Sequence, residues 1–264
     1  MIAENQKHHF GREVVGTLIV VLLGIGSVAQ VSLAPRIDAG AYNWMMIALG
    51  WGLAYTLAFF VCGGVGQVHL NPAITLALAV RRNFDWKKVL PTVSAQFLGA
   101  FLGAAAVWFM YKDGLAPAGF PNIWATHPGS TFDGAFWGTS GASQVSTYRV
   151  VVACVAELFG TLVFTWMFLA VSESSDSSRI GYLGPLLVGL AVTAVGISLG
   201  GPSGFAINPA RDLAPRILGS LLWTRGLFDG IYWLVPPVLT PLFAAPLGVI
   251  LYDLIINPVV SDNA

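Results

Sequence analysis

Asn71-Pro72-Ala73 and Asn208-Pro209-Ala210 are the residues best placed to act on a small molecule. Asn is a preferred helix N-cap and Pro suits the first helical position, so each triplet predicts a helix start. A helix start leaves backbone N–H groups unpaired and carries the positive end of the helix dipole. The Asn side-chain amide adds donors of its own. Both triplets fall at positions where an apolar segment crosses a bilayer. Irregular backbone at that depth is tolerated only where protein buries it or it lines a watery cavity. One copy alone reads as an ordinary N-cap. Two copies, 137 positions apart (208 − 71), predict a pore built around them. Arg211 follows the second triplet directly, and an intramembrane Arg is a functional candidate by default, although a structural ion pair is the plainer reading.

The elements that must carry these residues follow from composition. Of 264 residues, 56% are hydrophobic and only 10% charged, with 13 basic balanced by 13 acidic side chains. That balance offers no basic face for nucleic acid and no acidic tail. The apolar residues fall into long runs, the pattern of an all-α multi-span membrane protein in a lipid bilayer. Six full spans are expected near residues 12–34, 41–62, 87–110, 148–171, 180–199 and 230–255. The first run is too long for a signal peptide, so it is read as a retained helix. Two short helices, near 71–81 and 208–219, begin at the triplets. At ~1.5 Å per residue each covers roughly half the hydrocarbon thickness, so two meeting tip to tip complete one crossing.

The halves repeat within a single channel domain spanning 1–264. Glu13-Val-Val-Gly-Thr-Leu matches Glu157-Leu-Phe-Gly-Thr-Leu, and Gly103 aligns with Gly248. Three spans per repeat (about 10–110 and 148–255) make the second repeat inverted, with a pseudo-two-fold axis in the membrane plane. Arg81, Arg82, Lys87 and Lys88 crowd one link; Lys7, Arg12 and Arg179 fall on the same side, which the positive-inside rule makes cytoplasmic. Both termini are then cytoplasmic, in a multi-pass protein of the plasma membrane. Arg36, Lys112, Arg149 and Arg225 on the other side keep the bias moderate. The link 111–147, with Trp124, Phe132, Phe136 and Trp137, is expected as an ordered external loop over the pore mouth.

His69-Leu-Asn-Pro-Ala-Ile-Thr and Gly204-Phe-Ala-Ile-Asn-Pro-Ala-Arg-Asp resemble the two signature loops of the major intrinsic protein family, the aquaporins. The likeness extends over nearly the whole chain and includes Glu13 and Glu157. It implies a bundle of six transmembrane helices plus two re-entrant half-helices, one pore per subunit, usually in a homotetramer. Asp212 after Arg211 resembles the glycerol-conducting branch. A carboxylate favoured at the positive end of the half-helix explains Asp212 equally well. The resemblance places a selectivity constriction at Trp51, Gly196, Phe205 and Arg211. Strict water channels resemble one another in having a His near the Gly196 position and a small residue near Phe205. It gives Glu13 and Glu157 the role of buried carboxylates holding loop N–H groups; a proton relay is the other reading of the pair.

The residue types suit a polyol. Gly196 opens room, Trp51 and Phe205 offer an apolar corner to the CH backbone, and the Arg211 fork can hold two adjacent hydroxyl oxygens. Backbone carbonyls near Gln67, Val68 and His69, and near Gly204, Phe205 and Ala206, can accept hydroxyl protons, with the Asn71 and Asn208 amides donating at the centre. His69 is expected to matter through its carbonyl rather than its ring. Gly99, Gly103 and Gly248 are expected to let helices pack closely. Gln67-Val68 departs from the family's small pair before the His, and Pro236-Pro237 from its usual single Pro; both bear on solute range, not on fold. Cys62 and Cys154 read as two thiols rather than a disulfide or metal pair.

The function read from the sequence is passive conduction of glycerol, water and small neutral solutes without ions or protons. A coupled transporter is the alternative, since it can also use inverted repeats and broken helices. No metal, cofactor or nucleic-acid partner is expected, and no nucleophile–base set or phosphate loop suggests an enzyme.

Overall fold

The fold is seen in a computed structural model that describes residues 2–33, 43–127, 147–173 and 183–256. Among these residues it is helical, with no strand beyond one isolated bridge between Val65 and Val68. The first half comprises α1 (Ile2–Leu33), α2 (Trp44–Val61), the short α3 (Pro72–Val80) and α4 (Trp86–Leu115). The second comprises α5 (Thr147–Ser172), α6 (Gly184–Ser203), the short α7 (Pro209–Leu221) and α8 (Thr240–Leu251). A π-helical turn, Val235–Leu239, leads into α8, and another, Tyr252–Ile256, follows it.

Six stretches are long and apolar enough to cross a membrane: Gln6–Leu33, Trp44–Val61, Trp86–Leu115, Thr147–Ser172, Gly184–Ser203 and Val235–Ile256. Their outward faces carry large apolar side chains such as Leu90, Phe109, Phe243 and Leu254. Lipid tails make such a surface stable, because no water penalty attaches to it.

Several boundaries differ from expectation for local reasons. α1 starts at Ile2 rather than near 12, because nothing in the polar stretch before Arg12 breaks a helix. α4 runs to Leu115, five residues past its expected end. α6 runs from Gly184 to Ser203 instead of 180–199, with Pro185 in its first turn and Gly204, at φ 83°, as its left-handed cap. The sixth span begins at Val235, not 230. Pro236 and Pro237 lie where the first turn needs no N–H partner, and the chain opens there as a π turn. Residues 128–146 of the external link, with Phe132, Phe136 and Trp137, lie outside the described residues, as do Arg36 and Arg179.

Small residues set the packing. α1 lies along α4, where Gly99 and Gly103 face its backbone; a Cβ at Gly103 would come within 2.7 Å of Leu18 O. In the other half Gly248 brings α8 to Leu162 and Thr165 of α5, with a Cβ there 3.2 Å from Leu162 Cδ2. Between the two halves α2 packs closely on α6. Gly52 faces Thr193 and Gly189 faces Thr56, and each threonine hydroxyl bonds back to the glycine carbonyl on its own helix at 3.1 Å. The short helices are exchanged between halves: α3 packs on α8 and α7 on α4. Ion pairs tie the outer ends. Arg81, the C-cap of α3, pairs with Glu173 after α5 and with Asp253 after α8, gathering three ends on the face where α1 begins.

The paired helix starts as a candidate functional site

Each triplet caps its own helix. Asn71 lies in extended backbone and its side-chain oxygen accepts from Ala73 N at 2.9 Å. Asn208 does the same with Ala210 N and Arg211 N, at 3.0 and 3.2 Å. Using the oxygen as a cap aims each amide nitrogen away from its helix. The Asn71 nitrogen donates to Ile207 O at 2.8 Å, and the Asn208 nitrogen donates to Leu70 O at 2.7 Å. The two helix starts therefore meet, and both asparagines are fully buried.

The amides are not equivalent. Asn208 also donates to the hydroxyl of Tyr55 at 2.8 Å. An amide NH₂ has two hydrogens, and here Leu70 O and Tyr55 Oη take both.

The loops leading into the triplets are strained and then held. Leu70, Phe205 and Ile207 have φ of 56°, 43° and 47°, a region that costs energy for any residue but glycine. Glu13 holds the first loop, accepting from His69 N at 2.6 Å and Leu70 N at 2.9 Å. Glu157 holds the second, accepting from Ala206 N and Ile207 N, both at 2.7 Å. Both carboxylates are buried, where such charge-assisted bonds are strong. Gln96 donates to Glu13 and to Thr75 Oγ1, both at 2.9 Å, so α4 braces the first loop too. The N–H groups of His69, Leu70, Ala206 and Ile207 turn to the carboxylates, so in these trans peptides the carbonyls of Val68, His69, Phe205 and Ala206 face the opposite way. The His69 ring is buried, beside Thr75 Oγ1 and edge-on to Phe84, while Gln67 is exposed.

Trp51, Gly196, Phe205 and Arg211 come together from α2, α6, the second loop and α7. The Arg211 guanidinium carbon lies 4.0 Å from the Trp51 ring centroid and 5.8 Å from that of Phe205. Its Nη2 reaches Gly204 O at 3.5 Å, and Nη1 lies 3.8 Å from Asp212. Gly196 is small because Phe205 lies against it: a Cβ there would sit 3.0 Å from Phe205 Cζ and from Ala48 Cβ. The result is one cationic donor fork beside two aromatic faces.

Asp212 points elsewhere. It accepts from Thr126 N and Oγ1 at 2.7 and 2.6 Å and pairs with Arg216 at 2.8 Å. Arg216 in turn donates to Leu227 O and Thr126 O. This fully buried cluster pins the segment around Thr126 over Gly204, whose Cβ would lie 3.1 Å from Thr126 Cβ.

Sequence reasoning missed Tyr55, Trp44, Gln96, Thr126 and Arg216. Trp44, Trp51, Tyr55 and Phe59 recur at helical spacing, so an aromatic stripe on α2 was a readable signal. Trp44 donates from Nε1 to Gly196 O at 2.8 Å and stands edge-on to Phe205, centroids 5.6 Å apart. Cys62 and Cys154 are free thiols, and no group of three His, Cys, Asp or Glu side chains among the described residues could hold a metal ion.

The chain is similar in sequence and fold to known proteins. The family described as Major intrinsic protein matches residues 3–252. A glycerol uptake facilitator protein of Streptococcus pneumoniae is 37% identical over 246 residues, covering 92% of this chain and 97% of that protein. Aquaporin-9 of Homo sapiens is 34% identical over 254 residues, 93% of this chain and 81% of the human protein. The X-ray structure of the aquaglyceroporin from Plasmodium falciparum superposes with a TM-score of 0.81 at 29% identity, covering 98% of this chain and 100% of the other.

Proposed function

We propose that this chain, which belongs to the major intrinsic protein family, is a passive channel for glycerol, water and other small uncharged solutes. The reading is carried by one observation: Arg211 stacked 4.0 Å from Trp51 with Phe205 beside it, next to two helix starts that meet. A glycerol molecule has a hydroxyl face and a carbon face. Arg211 donates to neighbouring hydroxyl oxygens while Trp51 and Phe205 take the CH backbone. The carbonyls of Val68, His69, Phe205 and Ala206 accept hydroxyl protons along the way. Each hydroxyl stripped of water and left without a partner would cost about 1–3 kcal/mol, so this matching keeps the barrier low.

Cations and protons are excluded by the same parts. The positive ends of α3 and α7 point at the centre, and Arg211 adds a full charge. The channels assemble as homotetramers in the plasma membrane, with both termini cytoplasmic. Glu13 and Glu157 act as loop supports rather than as a proton relay.

Stopped-flow light scattering of proteoliposomes tests the reading. Glycerol and water should equilibrate faster than in protein-free vesicles, without saturation, while a trapped pH dye reports no proton leak. Saturable flux driven by an ion gradient would instead indicate a coupled transporter, and collapse of an imposed pH gradient would overturn the exclusion of protons.

A further inference from the structure

Tyr55 lies one helical turn beyond Trp51, so the two rings share one face of α2. Its hydroxyl takes the Asn208 amide hydrogen that Leu70 O leaves over. Its ring is 1% exposed and packs against Phe164 of α5, in the other half of the molecule, at 5.4 Å, and near Phe59 of its own helix at 6.0 Å. Phe59 and Phe164 are themselves fully buried. The meeting point of the two halves is thus filled by a phenol ring, with aromatic neighbours continuing from it.

Resting on the channel reading above, we propose that Tyr55 is a specificity-determining residue forming a second selectivity station at the centre of the path. The physical reason is exchange. A phenol oxygen accepts from Asn208 and still has one hydrogen to donate. A solute hydroxyl has the same capacity, so it can take the place of Tyr55 on Asn208 bond for bond as the ring swings aside. Water and glycerol meet this requirement with a small cross-section. A longer polyol must keep the ring displaced along more of its length, so the station discriminates by size after the Trp51–Arg211 ring has discriminated by shape.

The test compares wild type with Tyr55→Val and Tyr55→Phe in proteoliposomes, reading flux of water, glycerol and a five-carbon polyol. Tyr55→Val removes ring and hydroxyl, and should raise five-carbon polyol flux relative to water by about tenfold, corresponding to ~1.4 kcal/mol of barrier. Tyr55→Phe keeps the ring, and should keep the size preference while changing water and glycerol flux together. Tyr55→Leu, closer in volume, is read in the same way as Tyr55→Val should that variant fail to assemble. An assembled Val or Leu variant with wild-type flux ratios overturns the proposal. If wild type passes no glycerol, the channel reading fails on its own. A glycerol-permeable wild type with unchanged ratios in the Val or Leu variant leaves the channel reading standing and sinks the Tyr55 station alone.

Discussion

Asn71 and Asn208 hold each other's loops: the Asn71 amide donates to Ile207 O at 2.8 Å and the Asn208 amide to Leu70 O at 2.7 Å. Each accepting carbonyl belongs to the residue directly before the partner triplet, so neither helix start can move without the other. The carboxylates behind the loops complete the clamp, since Glu13 takes Leu70 N and Glu157 takes Ile207 N. Leu70 and Ile207, both at positive φ, are kept in place by this bonding.

Glu157→Gln should loosen that clamp. Glu157 accepts on both oxygens, whereas a Gln side chain has one acceptor and would turn an NH₂ toward a backbone N–H. One buried donor left unmet costs about 1–3 kcal/mol. We expect a lower unfolding midpoint in detergent and a comparable fall in water and glycerol flux. An unchanged midpoint would mean that the loop holds its backbone without the carboxylate.

Arg211→Val should separate selectivity from folding. It removes the fork over Trp51 and the donor to Gly204 O. The expected variant assembles, discriminates less among polyol stereoisomers and lets cations leak, read by vesicle swelling and a potential-sensitive dye. If the assembled variant keeps both properties, selectivity lies away from Arg211.

Gly196→His combined with Phe205→Thr should cut glycerol flux far more than water flux. Phe205 fills the space beside Gly196, with Cζ 3.0 Å from where a Cβ would sit, so Gly196→His alone would press on the Phe205 ring. The double change substitutes a polar ring for an apolar one and removes the surface met by the CH backbone. The ratio of glycerol to water permeability in one preparation checks it; a wild-type ratio in the folded double variant counts against this map of the constriction.

Asp212→Asn should act on stability rather than on solute choice. Asp212 is bonded to Thr126 and Arg216, and removing one charge from a buried pair costs about 3–5 kcal/mol. We expect a lower unfolding midpoint and faster proteolysis near Thr126, with the glycerol-to-water ratio near wild type. A changed ratio with unchanged stability would return Asp212 to a role in specificity.

Much of this was legible because bilayer physics is strict. Long apolar runs leave few alternatives to helices, and the Asn-Pro of each triplet marks a helix start. The matching segments at Glu13 and Glu157 exposed the repeat. Boundaries drifted where nothing local enforced them, as at the start of α1, or where two prolines opened a π turn ahead of α8. The packing role expected of Gly99, Gly103 and Gly248 agrees with their contacts, since in each case a Cβ would crowd the facing helix.

By itself, then, the sequence determined the spans and the two capped half-helices, because these depend on residue type, spacing and the cost of unpaired polar groups in lipid, while the burial of Glu13 and Glu157 came from the family resemblance. Only the tertiary structure decided which partners those groups chose. Asp212, while staying 3.8 Å from Arg211, bonds to Thr126 and Arg216, and the second amide hydrogen of Asn208 went to Tyr55, 153 positions away. A side chain's donors are written in its chemistry, but the acceptor it meets is set by how distant helices cross, and no local pattern along α2 or α7 encodes that crossing.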